Sequence, residues 1–240
     1  MMSGIGRRSF LRTAGVVAMA AGFPGLARAQ DKIATTARDA LIVVDVQRCF
    51  TKGGSLAVPD GDAVVPLINS IAKKFVNVVI TQDWHTPGHI SFASSHPGKK
   101  PFDVIDLPYG KQVLWPDHCV QGTEGASLHP DLAIPHAQLV IRKGFNPKVD
   151  SYSAFVEADG KTPTGLTGYL KARGIGRVFV CGLATDFCVA WTAQDARKAG
   201  FEALVIEDAS RGIDTQGSLS AAWKKMQAAG VKRIKSTDLA

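Results

Sequence analysis

Short apolar runs recur along the chain at spacings that leave room for a helix between them. ALIVVDV (40–46), NVVIT (77–81), QLVIRK (138–143), RVFVCGL (177–183) and EALVIED (202–208) are rich in β-branched residues, and VKRIK (231–235) reads as a weaker edge strand. Such continuous runs suit strands buried on both faces. Between them lie the amphipathic stretches DAVVPLINSIAKKF, TGLTGYLKARG, TDFCVAWTAQDARKAG and GSLSAAWKKMQAAG. Three of these end at Gly174, Gly200 and Gly230, where helices commonly stop. The pattern predicts an α/β fold: a three-layer αβα sandwich around a central, mainly parallel six-stranded sheet. Residues 83–137 break the rhythm as one long irregular insertion rich in Pro, Gly and His. An insertion of that length in a compact domain usually carries function.

Ligands of an open parallel sheet bind beyond the carboxyl ends of its strands. The first strand runs into Asp45, the second into Asp83, the third into Lys143 and the fourth towards Cys188. Asp45 interrupts an otherwise apolar run, and a buried acid is costly unless it is paired or used. Cys188 falls within the first turn of a predicted helix capped by Thr185 or Asp186, where free N–H groups favour a thiolate. Taken singly, each residue has a plain structural reading. Together they form a nucleophile, a base and a cation on one sheet edge. Cys181, in mid-strand, reads as a packed structural cysteine.

In QDWHTPGH, Asp83 and His85 lie two apart and share one side of an extended chain. His89 and His118 follow within the insertion. A carboxylate with imidazoles is a donor set for zinc, iron or manganese.

These segments carry a resemblance. VVDVQ with Phe50, then QDWH, WPDHCVQGTEGA, KGF and GLATDFCV, in that order, resemble the nicotinamidases of the isochorismatase-like (cysteine amidohydrolase) superfamily. The likeness runs from Leu41 to the C-terminus. It implies a nicotinamidase and pyrazinamidase of pyridine nucleotide metabolism, hydrolysing an aromatic amide through a cysteine thioester. In that reading Cys188 is the nucleophile, Asp45 the general base and Lys143 its charged partner. The backbone N–H groups of Ala184 and Cys188 form the oxyanion hole, aimed by a cis peptide between Leu183 and Ala184. Phe50 and Trp115 line a flat pocket. Asp83, His85 and His118 hold one divalent metal ion, with His89 a further candidate ligand. Where relatives often carry Asn-Asp before the Phe of the first motif, this chain has Arg48 and Cys49. Two other classes fit the residues less well: a metal-free amidohydrolase acting on a carbamoyl or ureido group, and a non-catalytic metal- or ligand-binding protein.

Charge adds one point. The net charge is +7, and four of those charges are Arg7, Arg8, Arg12 and Arg28. The first 29 residues hold no acid. They read as a twin-arginine signal peptide: GRRSFLR, a short mild apolar segment, then ARA ending at Ala29. The expected organisation is therefore a signal peptide at 1–29, then one amidohydrolase domain at 30–240 acting in the periplasm. The apolar segment is too short to serve as a stable membrane anchor. No basic stripe interleaved with aromatics marks a nucleic-acid surface. Homo-oligomer formation is left open, and so is the pairing of the four cysteines, Cys49, Cys119, Cys181 and Cys188.

Overall fold

A computed structural model describes residues 32–240, so the twin-arginine segment lies outside the described residues. The elements in chain order are β1 (Asp39–Val44), α1 (Val64–Ala72), β2 (Asn77–Asp83), β3 (Val104–Leu107), β4 (Gly110–Val113) and β5 (Leu139–Lys143). Then follow α2 (Leu166–Ala172), β6 (Arg177–Leu183), α3 (Ala190–Lys198), β7 (Glu202–Arg211), α4 (Ser218–Ala228) and β8 (Lys232–Ile234). Six strands form one sheet in the order β5-β2-β1-β6-β7-β8, and every pairing in it is parallel.

Side chains alternate across this sheet, and the alternation builds two cores. Leu41 and Val43 of β1 join Phe179, Cys181 and the apolar face of α1. Ala40, Ile42 and Val44 face the other way, onto Leu166 and Leu170 of α2, Ala193 of α3 and Met226 of α4. The result is the expected helix–sheet–helix sandwich.

The chain leaves β1 in one direction for β2 and β5, and in the other for β6, β7 and β8. The strand order therefore reverses between β1 and β6, which opens a crevice at their carboxyl ends. Gly182 sits at that seam with φ of +116°, and a Cβ there would come within 2.1 Å of the Val44 carbonyl oxygen. Only glycine lets β6 lie so close to β1. The insertion is less irregular than its composition suggests, because β3 and β4 form an antiparallel hairpin within it. Among the described residues no helix is long and apolar enough to cross a membrane.

Candidate active site and metal centre

Sheet register sets the first half of the site. Asp83, the last residue of β2, is the direct partner of Lys143, the last residue of β5. Asp45 follows β1 in a left-handed turn with φ of +48°, a conformation that Asp tolerates better than most residues. Its carboxylate takes a hydrogen bond from Thr81 Oγ1 on β2 at 2.5 Å. Lys143 Nζ is the hub. It lies 2.8 Å from Asp45 Oδ2, 3.1 Å from Asp83 Oδ1, 3.0 Å from the Ser151 carbonyl oxygen and 3.4 Å from Cys188 Sγ. Asp45 and Lys143 are buried to within 1%. Asp45 Oδ2 is held by this ion pair and takes no further hydrogen bond of regular geometry. Asp45 and Cys188 thus meet on one ammonium.

Cys188 departs from the expected setting in two respects. It lies in a single π-helical turn, Thr185–Val189, that leads into α3, and not in an ordinary first α-turn. Such turns recur at functional sites because they re-aim one side chain. Asp186 does not cap its own helix either. Its carboxylate accepts hydrogen bonds from the amides of Ile213 and Asp214 and from Ser218 Oγ, tying the loop before α4 to the nucleophile turn.

Burial acts on every charge in the site. Burial pushes the Cys188 thiol well above its ordinary value and outweighs the pull of Lys143, with Asp45 and Asp83 adding to the rise. Burial likewise raises Asp45 despite Lys143. Burial opposes the charge on Lys143, but Asp45 and Asp83 overcome it and hold the ammonium well above its usual range. Asp83 goes the other way: burial would push it up, yet His85 and Lys143 hold it well below the ordinary carboxylate value. Burial thus pushes both the thiol and its neighbouring carboxyl group upward, against the pull of the one ammonium they share.

The second half of the site hangs on β2 and the insertion. Asp83, His85 and His118 are buried, with one ligating atom of each within 4.8 Å of the others. His85 Nδ1 pairs with the Gly144 carbonyl oxygen at 2.9 Å. That bond leaves Nε2 facing Asp83 and His118, and fixing one ring nitrogen so is the usual support for a metal ligand. Gly144 is required here as well: its φ is +69°, and a Cβ would stand 2.6 Å from His85 Cε1 and 2.9 Å from Asp83 Oδ1. His118 Nδ1 is similarly held by the Pro116 carbonyl oxygen at 2.8 Å. His89 stacks on His85 with centroids 4.3 Å apart. Its own nitrogens, however, engage Ser91 Oγ at 2.8 Å and the Asn146 carbonyl oxygen at 2.7 Å. It groups with His85 and Asp150 and stands outside the Asp83–His118 set.

Phe50 and Trp115 line the same cavity as Cys188, Asp83, His85 and His118. The cavity is tight, about 20 Å³, room for about one water. A much larger open groove of about 790 Å³ lies beside α4 and holds none of the predicted catalytic or metal residues. The peptide between Leu183 and Ala184 is cis, and Ala184 borders the cavity with Cys188.

Sequence reasoning missed several cavity residues. Phe187 packs edge-on against Trp115 at 4.8 Å. Tyr152 accepts a hydrogen bond from Trp115 Nε1 at 2.9 Å. Asp150 and Ile213 complete the wall. Phe187 stands inside a quoted motif beside Cys188 and was within reach; Asp150 and Tyr152 lie in coil with no periodic signal. Cys49 and Cys119 form a disulfide with Cα atoms 5.6 Å apart. It joins the residue before Phe50 to the residue after His118. Cys181 is buried and unpaired.

Comparison with known proteins places the chain in a family. The isochorismatase domain family matches residues 39–238. A nicotinamidase from Acinetobacter baylyi is 62% identical over 200 residues, spanning 83% of this chain and 94% of that protein. The solved structure of an Acinetobacter baumanii nicotinamidase/pyrazinamidase superposes with a TM-score of 0.84 at 64% identity, covering 85% of this chain and 98% of that one. The crystal structure of a pyrazinamidase from Pyrococcus horikoshii in complex with zinc superposes with a TM-score of 0.67 at 36% identity, covering 82% and 99%.

Proposed function

The chain belongs to the isochorismatase domain family, and from that footing we propose how it carries out the hydrolysis of nicotinamide to nicotinate and ammonia. It is an amidohydrolase, as its high-identity relatives are. The observation that carries the mechanism is the contact of Lys143 Nζ with Asp45, Asp83 and Cys188 in one buried chamber.

The aromatic ring enters between Phe50 and Trp115, which brings the carboxamide carbon over Cys188 Sγ and turns lost entropy into orientation. Asp45 takes the thiol proton as the sulfur–carbon bond forms. Lys143 keeps the chamber from accumulating charge during that transfer. The carbonyl oxygen, now an oxyanion, accepts hydrogen bonds from the amides of Ala184 and Cys188, each worth about 3 kcal/mol in such sites. Asp45 returns the proton to the amide nitrogen, the carbon–nitrogen bond breaks and ammonia leaves. A water deprotonated by Asp45 then attacks the thioester carbon. The carbon–sulfur bond breaks, the proton returns to Cys188, and the acid formed leaves as nicotinate after giving its carboxyl proton to solvent. Pyrazinamide presents the same carboxamide beside a ring nitrogen and is a second substrate in this reading.

The donor set fits one divalent cation. Asp83 and two histidines with their outer nitrogens held by carbonyl groups form a compact buried triad, a set that zinc, iron and manganese accept. When bound, the cation supplies Lewis acidity and a fixed point for a heteroaromatic nitrogen. His89 serves in this reading as a further ligand only if it gives up Asn146.

We also propose that the full chain is exported by the twin-arginine route and acts in the periplasm. The paired arginines and the ARA site support this, and a Cys49–Cys119 disulfide is at home in an oxidising compartment.

Ammonia release from nicotinamide and pyrazinamide, with metal content measured on the same sample, tests the assignment. Turnover of both that is lost on chelation and restored by a divalent ion supports it. Turnover of a ureido substrate, with nicotinamide untouched, would replace it.

A further inference from the structure

Asp150 has no part in the chemistry above, yet it is only 2% exposed and borders the same cavity. Its Oδ2 accepts a hydrogen bond from Gln112 Nε2 at 2.9 Å, and its Oδ1 one from the Ser151 amide at 2.8 Å. Both donors are neutral. Among the described residues no lysine or arginine pairs with it. A buried carboxylate without a cation is expensive, so something must balance it.

The balance is visible when the charges of the chamber are taken together. Asp45, Asp83 and Asp150 are all buried there against one ammonium, Lys143. At formal charge, three carboxylates and one ammonium leave the buried set two negative charges out of balance. A divalent cation on Asp83, His85 and His118 cancels them. Asp150 is placed to act on it: His85 is shared between the Asp83–His118 set and a second set in which ligating atoms of His85, His89 and Asp150 lie within 4.8 Å of one another. His89 is already committed to Ser91 and Asn146, so His85 is the member of that second set that also belongs to the Asp83–His118 set.

We propose that Asp150 is a positioning residue for the divalent cation, an outer carboxylate that matches the charge of the site to a doubly charged ion and sets how tightly that ion is held. Gln112 is its brace. That side chain is the one fully buried position of β4 and also contacts the Tyr152 hydroxyl at 3.0 Å. The inference rests on the metal reading above and adds a residue to it.

The test uses metal-free protein and zinc alone, titrated against a chromophoric chelator, with a thermal melt of each variant. Removing an outer-layer partner typically weakens metal binding by about 10–100-fold, and Asp150→Asn is expected to fall in that range. Gln112→Leu removes the brace and keeps the charge, so its zinc affinity is expected to stay within about fivefold of wild type, a small part of that effect. If Asp150→Asn does not fold, Asp150→Ser carries the same expectation. Zinc affinity of Asp150→Asn within threefold of wild type overturns the proposal. So does an equal loss in Gln112→Leu, which would mark a merely structural brace. Wild-type protein that binds no zinc removes the metal reading itself, and this inference with it.

Discussion

Strand β1 begins with one aspartate and runs into another, and the two meet opposite fates. Asp39, at the amino end, receives both guanidinium arms of Arg177 at 2.7 and 2.8 Å. Burial would raise it, but Arg177 and Thr36 hold it below its ordinary value. Asp45, seven residues into the same run, also faces a cation, but Lys143 is as buried as it is, and burial wins. At one end of the sheet an acid–base pair lies close to solvent with its hydrogen bonds made, and it contributes to stability. At the other, a pair of the same charges is sealed away from solvent beside the Cys188 sulfur, and it is set for chemistry. What separates structural from reactive charge here is solvation, and residue type alone does not decide it.

The largest expected effect separates the two ends directly. Asp45→Asn removes the base and is expected to lower turnover by about 10³–10⁴-fold. Because the folded-state value of Asp45 is raised, its stability contribution is complete below about 3.8 and is lost as pH rises through the folded value. The variant should therefore melt no lower than wild type at neutral pH. A melt several degrees lower would make Asp45 a structural acid like Asp39.

Next comes the disulfide that clamps the insertion to the Phe50 segment. Cys49 and Cys119 are 70 residues apart, and the loop-entropy account gives about 4 kcal/mol for a closure of that size. Cys49→Ser with Cys119→Ser should lose up to that amount in chemical denaturation. Zinc affinity should fall too, since His118 loses its tether, while the Lys143 contacts persist. An unchanged denaturation midpoint would remove the clamp from the account.

A smaller loss is expected from Gly144→Ala. Forcing a side chain into a left-handed backbone costs about 1–3 kcal/mol, and the new Cβ would collide with His85 and Asp83. Metal affinity measured by chelator competition should drop at least tenfold; retention of wild-type affinity would show that His85 can shift freely. The smallest effect belongs to Asp39→Asn, worth ~1 kcal/mol for a partly exposed pair. Asp39 is lowered, so its contribution is present above about 3.8 and is lost as pH falls through the folded value. The gap between variant and wild-type melts should close in acid.

The same solvation argument explains what the sequence could reveal. Strand ends were legible because apolar runs fix where a polar residue must be exceptional, and so Asp45, Asp83, Lys143 and the Cys188 turn could be placed along one edge. The order of the strands, with β1 between β2 and β6, makes that edge a single chamber. Other features leave no periodic trace. The bond between Cys49 and Cys119 depends on two irregular segments meeting in space. Asp150 and Tyr152 sit in coil, where only the cavity gives them meaning. Hairpin β3–β4 alternates too weakly to read as strand amid Pro and Gly. The π-helical turn at Cys188 differs from an α-turn by one residue of hydrogen-bond register, which composition does not encode.

One measurement bears most directly on the chamber as a nucleophile site: ammonia release from saturating nicotinamide by metal-loaded Cys188→Ala, beside wild type prepared in the same way. The account predicts a fall of about 10⁴-fold or more, as for other covalent nucleophiles, with metal content and melting temperature unchanged. Turnover within tenfold of wild type would contradict it.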